Sequence, residues 1–105
     1  MSVIMTFSAA GDPDELERRA AENPEGMRSI AERAKEHGLI AHRFYGSEGK
    51  IMVVDEWPDA ESFQRFFEQM RPEIEPMMRE AGVTGEPEIT FWRKLETHDD
   101  VGWEA

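Results

Sequence analysis

The chain has no cysteine, which excludes disulfide staples, thiolate metal centres and cysteine nucleophiles and fits a reducing, cytoplasmic setting. No apolar run approaches the roughly 18 residues that a membrane span requires, and no basic leader precedes an apolar segment. A soluble protein with no membrane partner is expected. Positive charge is scarce: 12 Lys and Arg stand against 23 Asp and Glu, for a formal net charge of −11, and the basic residues are scattered. That balance repels phosphate backbones, so no nucleic-acid partner is expected. Internal repeats, low-complexity tracts, a P-loop, a GxGxxG fingerprint and a Ser-His-Asp spacing are also missing, which leaves hydrolase and nucleotide chemistry unsupported.

A length of 105 residues suits one hydrophobic core. Residues 1–96 are assigned to a single domain and 97–105 to an acidic tail, where only Val101 and Trp103 offer an apolar docking surface. The organising stretch is KIMVVDEWPDAESFQRFFEQMRPEIEPMMREA, residues 50–81. Its first part predicts a strand that is largely apolar on both faces. Its second part predicts a helix with Phe63, Phe66, Phe67, Met70, Ile74, Met77, Met78 and Ala81 on one stripe. Pro72 and Pro76 predict a kink or restart near Arg71.

Residues 3–8 (VIMTFS) read as a central strand. Asp12 and Pro13 then form a helix start, with Glu15 placed to act as a capping-box acid. Asn23-Pro24 divides the helical stretch after Asp12 into two pieces, the second carrying Met27, Ile30, Ala31 and Ala34 on one stripe and ending at His37-Gly38. Residues 39–45 and 50–57 form a hairpin. A three-residue loop of Ser47, Glu48 and Gly49 would set Tyr45 opposite Ile51, Phe44 opposite Met52, Arg43 opposite Val53 and His42 opposite Val54. Residues 88–95 (EITFWRKL) make the last strand.

The order β-α-β-β-α-β is that of a ferredoxin-like α+β fold: an antiparallel sheet with strand order 4-1-3-2 and its helices on one face. Odd-numbered strand residues, from Val3, Met5 and Phe7 through Leu39, Ala41, Ile51, Val53 and Trp57 to Ile89, Phe91 and Leu95, are expected under the helices. The even face mixes Ile4, Ile40, Phe44, Met52, Val54 and Trp92 with Thr6, His42, Glu56 and Thr90. Monomers seldom leave such a patch in water, so a homodimer joined sheet to sheet is expected, with Phe44, Met52, Val54 and Trp92 at the contact.

Under the helices, Arg43 and Asp55 are expected as a diagonal ion pair. The functional reading is an apolar pocket for a small organic ligand, walled by Trp57, Phe66, Phe67 and Met70 and oriented by Arg43, Asp55 and Tyr45. The plainer reading of the same residues is an edge ion pair above core aromatics and methionines. His42, placed on the even face beside Glu56, is a candidate general base or else a polar contact in the dimer interface. One histidine with one carboxylate falls short of three metal ligands, so no metal is expected.

The run VVDEWPDAESFQRFF within this element order resembles the dimeric α+β barrel superfamily, and specifically its antibiotic-biosynthesis-monooxygenase-like branch, over residues 3–95. The resemblance implies a homodimer and cofactor-independent oxygenation of an aromatic or polyketide-like substrate, with His42 or Tyr45 stabilising a deprotonated phenol. The alternative is a non-catalytic ligand-binding or assembly domain of the same fold. Haem-degrading relatives pair a first-strand Asn, the strand-three Trp and a His on the next helix. Only Trp57 meets that pattern here, because the other two places hold Met5 or Phe7 and Phe66 or Phe67.

Overall fold

In the computed structural model, which describes residues 2–102, the elements run β1 (Val3–Ala10), α1 (Pro13–Glu22), α2 (Pro24–Glu36), β2 (Ala41–Ser47), β3 (Lys50–Trp57), α3 (Ala60–Glu80) and β4 (Thr84–Trp92). The helix starts are the capped ones expected. Asp12 accepts the Asp14 N–H at 3.0 Å, and Asn23 both ends α1 and accepts the Gly26 N–H at 3.1 Å to open α2. Glu15 does not reach back as a capping-box acid; it pairs forward with Arg18 and Arg19. Asp59 opens α3 by accepting the Ser62 N–H at 2.8 Å. That backbone bond holds its carboxyl below the ordinary Asp range, so the cap's pH-dependent stabilisation is present at neutral pH and fades as pH falls through the lowered value.

The expected interruption of α3 does not occur: the helix runs from Ala60 to Glu80 with Pro72 and Pro76 inside it. Strand limits shift as well. β1 extends to Ala10, β2 begins two residues late, and β4 starts at Thr84 and stops at Trp92, leaving Leu95 exposed beyond the sheet. Residues 93–102 form no helix or strand, Val101 is exposed, and Trp103, the tail's other candidate for docking, lies outside the described residues.

The sheet order is β2-β3-β1-β4, the expected 4-1-3-2 read from the other edge, and every pairing is antiparallel. Pairs Val3–Trp57, Met5–Asp55 and Phe7–Val53 join β1 to β3, while Met5–Phe91 and Phe7–Ile89 join β1 to β4. These residues share the face under the helices, where Met5, Val53, Trp57, Phe63, Phe66, Met70 and Met78 are the buried centre.

The β2–β3 hairpin differs from expectation by one residue. Ser47 pairs with Lys50, so the loop is only Glu48 and Gly49, and Tyr45 lies opposite Met52, Phe44 opposite Val53, Arg43 opposite Val54 and His42 opposite Asp55. A one-residue slip moves every side chain of a strand to the other face. Phe44 therefore belongs to the helix side rather than the proposed dimer contact, and His42 lies there too, while Arg43, Tyr45 and Ala41 belong to the open face with Met52 and Val54. The register is pinned at Gly46, where an added Cβ would lie 2.5 Å from the Pro13 side chain. Only glycine lets the start of α1 close onto β2 there.

Trp57 is 0% exposed and packs edge-on to Phe63, with its ring also 5.6 Å from that of Phe66. Trp57→Ala is expected to cost about 3–5 kcal/mol by opening a cavity. Urea unfolding measures this, and an unchanged midpoint would show that the indole is not part of the core.

Candidate functional site

Between the sheet and helices α2 and α3 lies a cavity of about 370 Å³. Its walls come from Met5, Phe7 and Val53 of the sheet, Ile30 and Ala34 of α2, and Phe63, Phe66, Phe67, Ile74 and Met77 of α3. Against this apolar lining stand three residues with charged or titratable side chains: Arg28, His42 and Asp55. Arg28 on α2 and His42 on β2 are exposed, and every other liner is at least half buried, so the cavity opens between those two elements.

His42, Asp55 and Trp57 form one hydrogen-bonded chain. His42 and Asp55 are directly opposite in the β2–β3 ladder, where Cβ atoms approach closely, and Asp55 and Trp57 are two apart on one face of β3. Asp55 Oδ1 lies 2.7 Å from His42 Nδ1, and the indole Nε1–H of Trp57 donates to Asp55 Oδ2 at 3.0 Å. Asp55 is 6% exposed, yet both of its oxygens have partners. An ionised carboxylate only accepts hydrogen bonds, so a neutral His42 must place its proton on Nδ1. That leaves the Nε2 lone pair free to accept a proton. The imidazole is 32% exposed at the side chain, and it stands edge-on to Phe44, 5.3 Å between centroids.

The structure thus gathers His42, Asp55, Phe66 and Phe67 of the expected site residues around one cavity. Trp57 stands behind Asp55 and does not line the space, and Met70 is buried in the core against Arg33. Arg43 and Tyr45 are on the opposite face, where the Arg43 guanidinium donates to the Tyr45 hydroxyl at 3.3 Å. The expected Arg43–Asp55 pair and the His42–Glu56 pair are both absent for this reason; the partners are His42 and Asp55 instead. Sequence reasoning missed Phe44 as a liner, because the expected register placed it at the dimer contact, and Arg28, which looked like any solvated helix residue. Among the described residues, no three His, Asp or Glu side chains are grouped to hold a metal ion, and no helix is long and apolar enough to cross a membrane.

No family model matches the chain, and no curated protein matches it in sequence. Solved structures share its fold. A monooxygenase from Streptomyces coelicolor, in complex with the ligand nanaomycin D, superposes with a TM-score of 0.68 at 14% identity, covering 91% of this chain and 89% of that one. A protein described as an antibiotic biosynthesis monooxygenase from Deinococcus radiodurans gives a TM-score of 0.62 at 14% identity over 95% of this chain and 99% of that one. A dimeric ferredoxin-like protein from an uncultured marine organism gives 0.63 at 18% identity, covering 90% and 89%. The fold is therefore one shared with these solved structures, several of which are described as antibiotic biosynthesis monooxygenases, and it is the fold that the sequence resemblance implied.

Removing the Asp55 carboxylate should leave the Trp57 N–H buried without an acceptor. Asp55→Ala is expected to cost roughly 1–3 kcal/mol and to release the Nδ1–H tautomer of His42. Imidazole ¹⁵N chemical shifts report the tautomer, and the same shifts before and after substitution would mean that Asp55 does not set it.

Proposed function

We propose that the chain binds a small phenolic aromatic in this cavity and oxygenates it without a cofactor, as a homodimer. The observation that carries the proposal is the His42–Asp55–Trp57 chain, which presents an oriented base to a largely apolar, aromatic-lined space. A cavity of about 370 Å³ is at the lower end of small-molecule pockets, roughly 300–1,000 Å³. The Streptomyces neighbour, described as a monooxygenase with a bound ligand, supports this use of the fold.

In this mechanism His42 Nε2 takes the phenolic proton while Asp55 holds the ring by Nδ1 and balances the imidazolium charge. Trp57 positions Asp55 from inside the core. The phenolate is the reductant: one electron passes to dioxygen, and the resulting radical pair joins to form a carbon–oxygen bond on the ring. His42 returns its proton as the peroxide O–O bond breaks and the ring C–H is lost. Phenol plus dioxygen then becomes quinone plus water, with every electron supplied by the substrate. Tyr45, on the other face of the sheet, has no part in this scheme.

The open face supports the dimer. Ile4, Met52 and Trp92 are exposed there, Val54 is half-buried, and Trp92 is fixed by donating to Thr6 Oγ1 at 2.8 Å. A second copy laid sheet to sheet would cover them, and a neighbouring structure of this fold is described as dimeric.

Two experiments test these readings. With 1-naphthol, the protein should consume one dioxygen per naphthoquinone formed, and His42→Gln should slow turnover roughly 10²- to 10⁴-fold while naphthol still binds. Binding by the unaltered protein without oxygen uptake would leave a ligand-binding domain and remove the oxygenase. In light scattering at micromolar concentration the protein should be a dimer and Met52→Glu a monomer; a monomeric unaltered protein would overturn the sheet-to-sheet contact.

A further inference from the structure

We infer that the ligand of this cavity is a hydroxyaromatic acid, whose carboxylate is held by Arg28 while its phenolic hydroxyl meets His42. The inference rests on the reading of the cavity as a phenol site and adds a second polar anchor to it. Asp55 has both oxygens engaged, by His42 and Trp57, which leaves two polar groups to meet a ligand: the Nε2 of His42 and the guanidinium of Arg28. The first accepts a hydrogen bond from a neutral hydroxyl. The second only donates and is always charged, so its complement is an anion.

Among the described residues, most helix cations have a carboxylate partner; Arg28 and Arg79 do not, and of these two Arg28 alone lines the cavity. Arg18 and Arg19 pair with Glu15, Arg33 with Glu73, Lys35 with Glu32, Arg65 with Glu61 and Arg71 with Glu75. Arg28 has Glu25 and Glu32 one turn away on either side, the spacing at which helix ion pairs form. Among the described residues, however, no carboxylate is within ion-pair distance of it. A cation left without an acidic partner is open to an anionic ligand. What makes Arg28 specific is its position, because it lines the cavity together with Met27 and Ala31 of the same helix. The aliphatic stem can extend the apolar wall while the guanidinium stays at the wet mouth. A planar carboxylate arriving there gains a two-pronged, charge-assisted bond, and the ring behind it enters the aromatic space.

Arg28 stands on the helix layer and His42 on the sheet, so the acid and the hydroxyl belong at separated positions on the ring system. Suitable probes are 6-hydroxy-2-naphthoate and its methyl ester, which differ in the anion alone. Calorimetry on the full chain without oxygen should show the acid binding at least tenfold more tightly than the ester, with the advantage shrinking as salt is raised. Arg28→Gln should bring the two ligands to parity, and Arg28→Lys should retain part of the preference. Equal affinities in the unaltered protein, or a preference that survives Arg28→Gln, would overturn the assignment of Arg28 while leaving the phenol site intact. If neither the acid nor the ester binds, the phenol site itself falls and this inference with it.

Discussion

One buried carboxylate ties the fold to the site. A charged group in the interior is costly unless its hydrogen-bonding capacity is met, and Asp55 meets it from two directions. Trp57 supplies a donor from the centre of the core, where Phe63 and Phe66 fix the indole. His42 supplies the second partner at the mouth of the cavity. The geometry of the imidazole is therefore set by core packing two residues along β3 and by the β2–β3 register. A slip of one residue would leave Asp55 with half its partners and turn the histidine to the other side of the sheet.

That dependence explains which part of the molecule was readable. Element order, sheet topology and the faces of β1, β3 and β4 come from alternation and from capping residues that each have one structural use. Strand β2 does not. The stretch 39–45, from which that strand was expected, carries apolar side chains at both parities, and Leu39, which packs inward, precedes the strand itself. The loop holds Gly46 and Gly49, so a three-residue turn and a two-residue turn were both compatible with the local chemistry. What decides between them is a tertiary fact, the closeness of Pro13 to Gly46. The same error moved His42, Phe44, Arg43 and Tyr45 together, since the faces of a strand change as a set.

The prolines of α3 show a similar override by packing. Each interior proline costs about 3 kcal/mol by removing a donor and crowding the preceding turn. Against this, Phe63, Phe66, Met70 and Met78 are buried on the inner face of the helix, and each fully buried side chain of this size contributes roughly 1.5–3 kcal/mol. Four such side chains on both sides of the prolines, roughly 6–12 kcal/mol together, match or outweigh the roughly 6 kcal/mol of the two prolines. The apolar stripe was the better guide to this helix than its breakers.

Helix α2 carries the last step. Its stripe of Met27, Ile30, Ala31 and Ala34 is thin for a helix that covers a sheet, and taken alone it suggests weak packing. Opposite it on α3, Phe67 stacks on Phe63, and Phe63 and Phe66 both pack against Trp57, which braces this aromatic layer from the sheet side. Short side chains on one wall and a self-supporting aromatic layer on the other leave a space that neither fills. A Leu in place of Ala31 or Ala34 would have made an ordinary core. The cavity is thus written in the smallness of two residues, a signal that periodicity registers only as the absence of a stronger one.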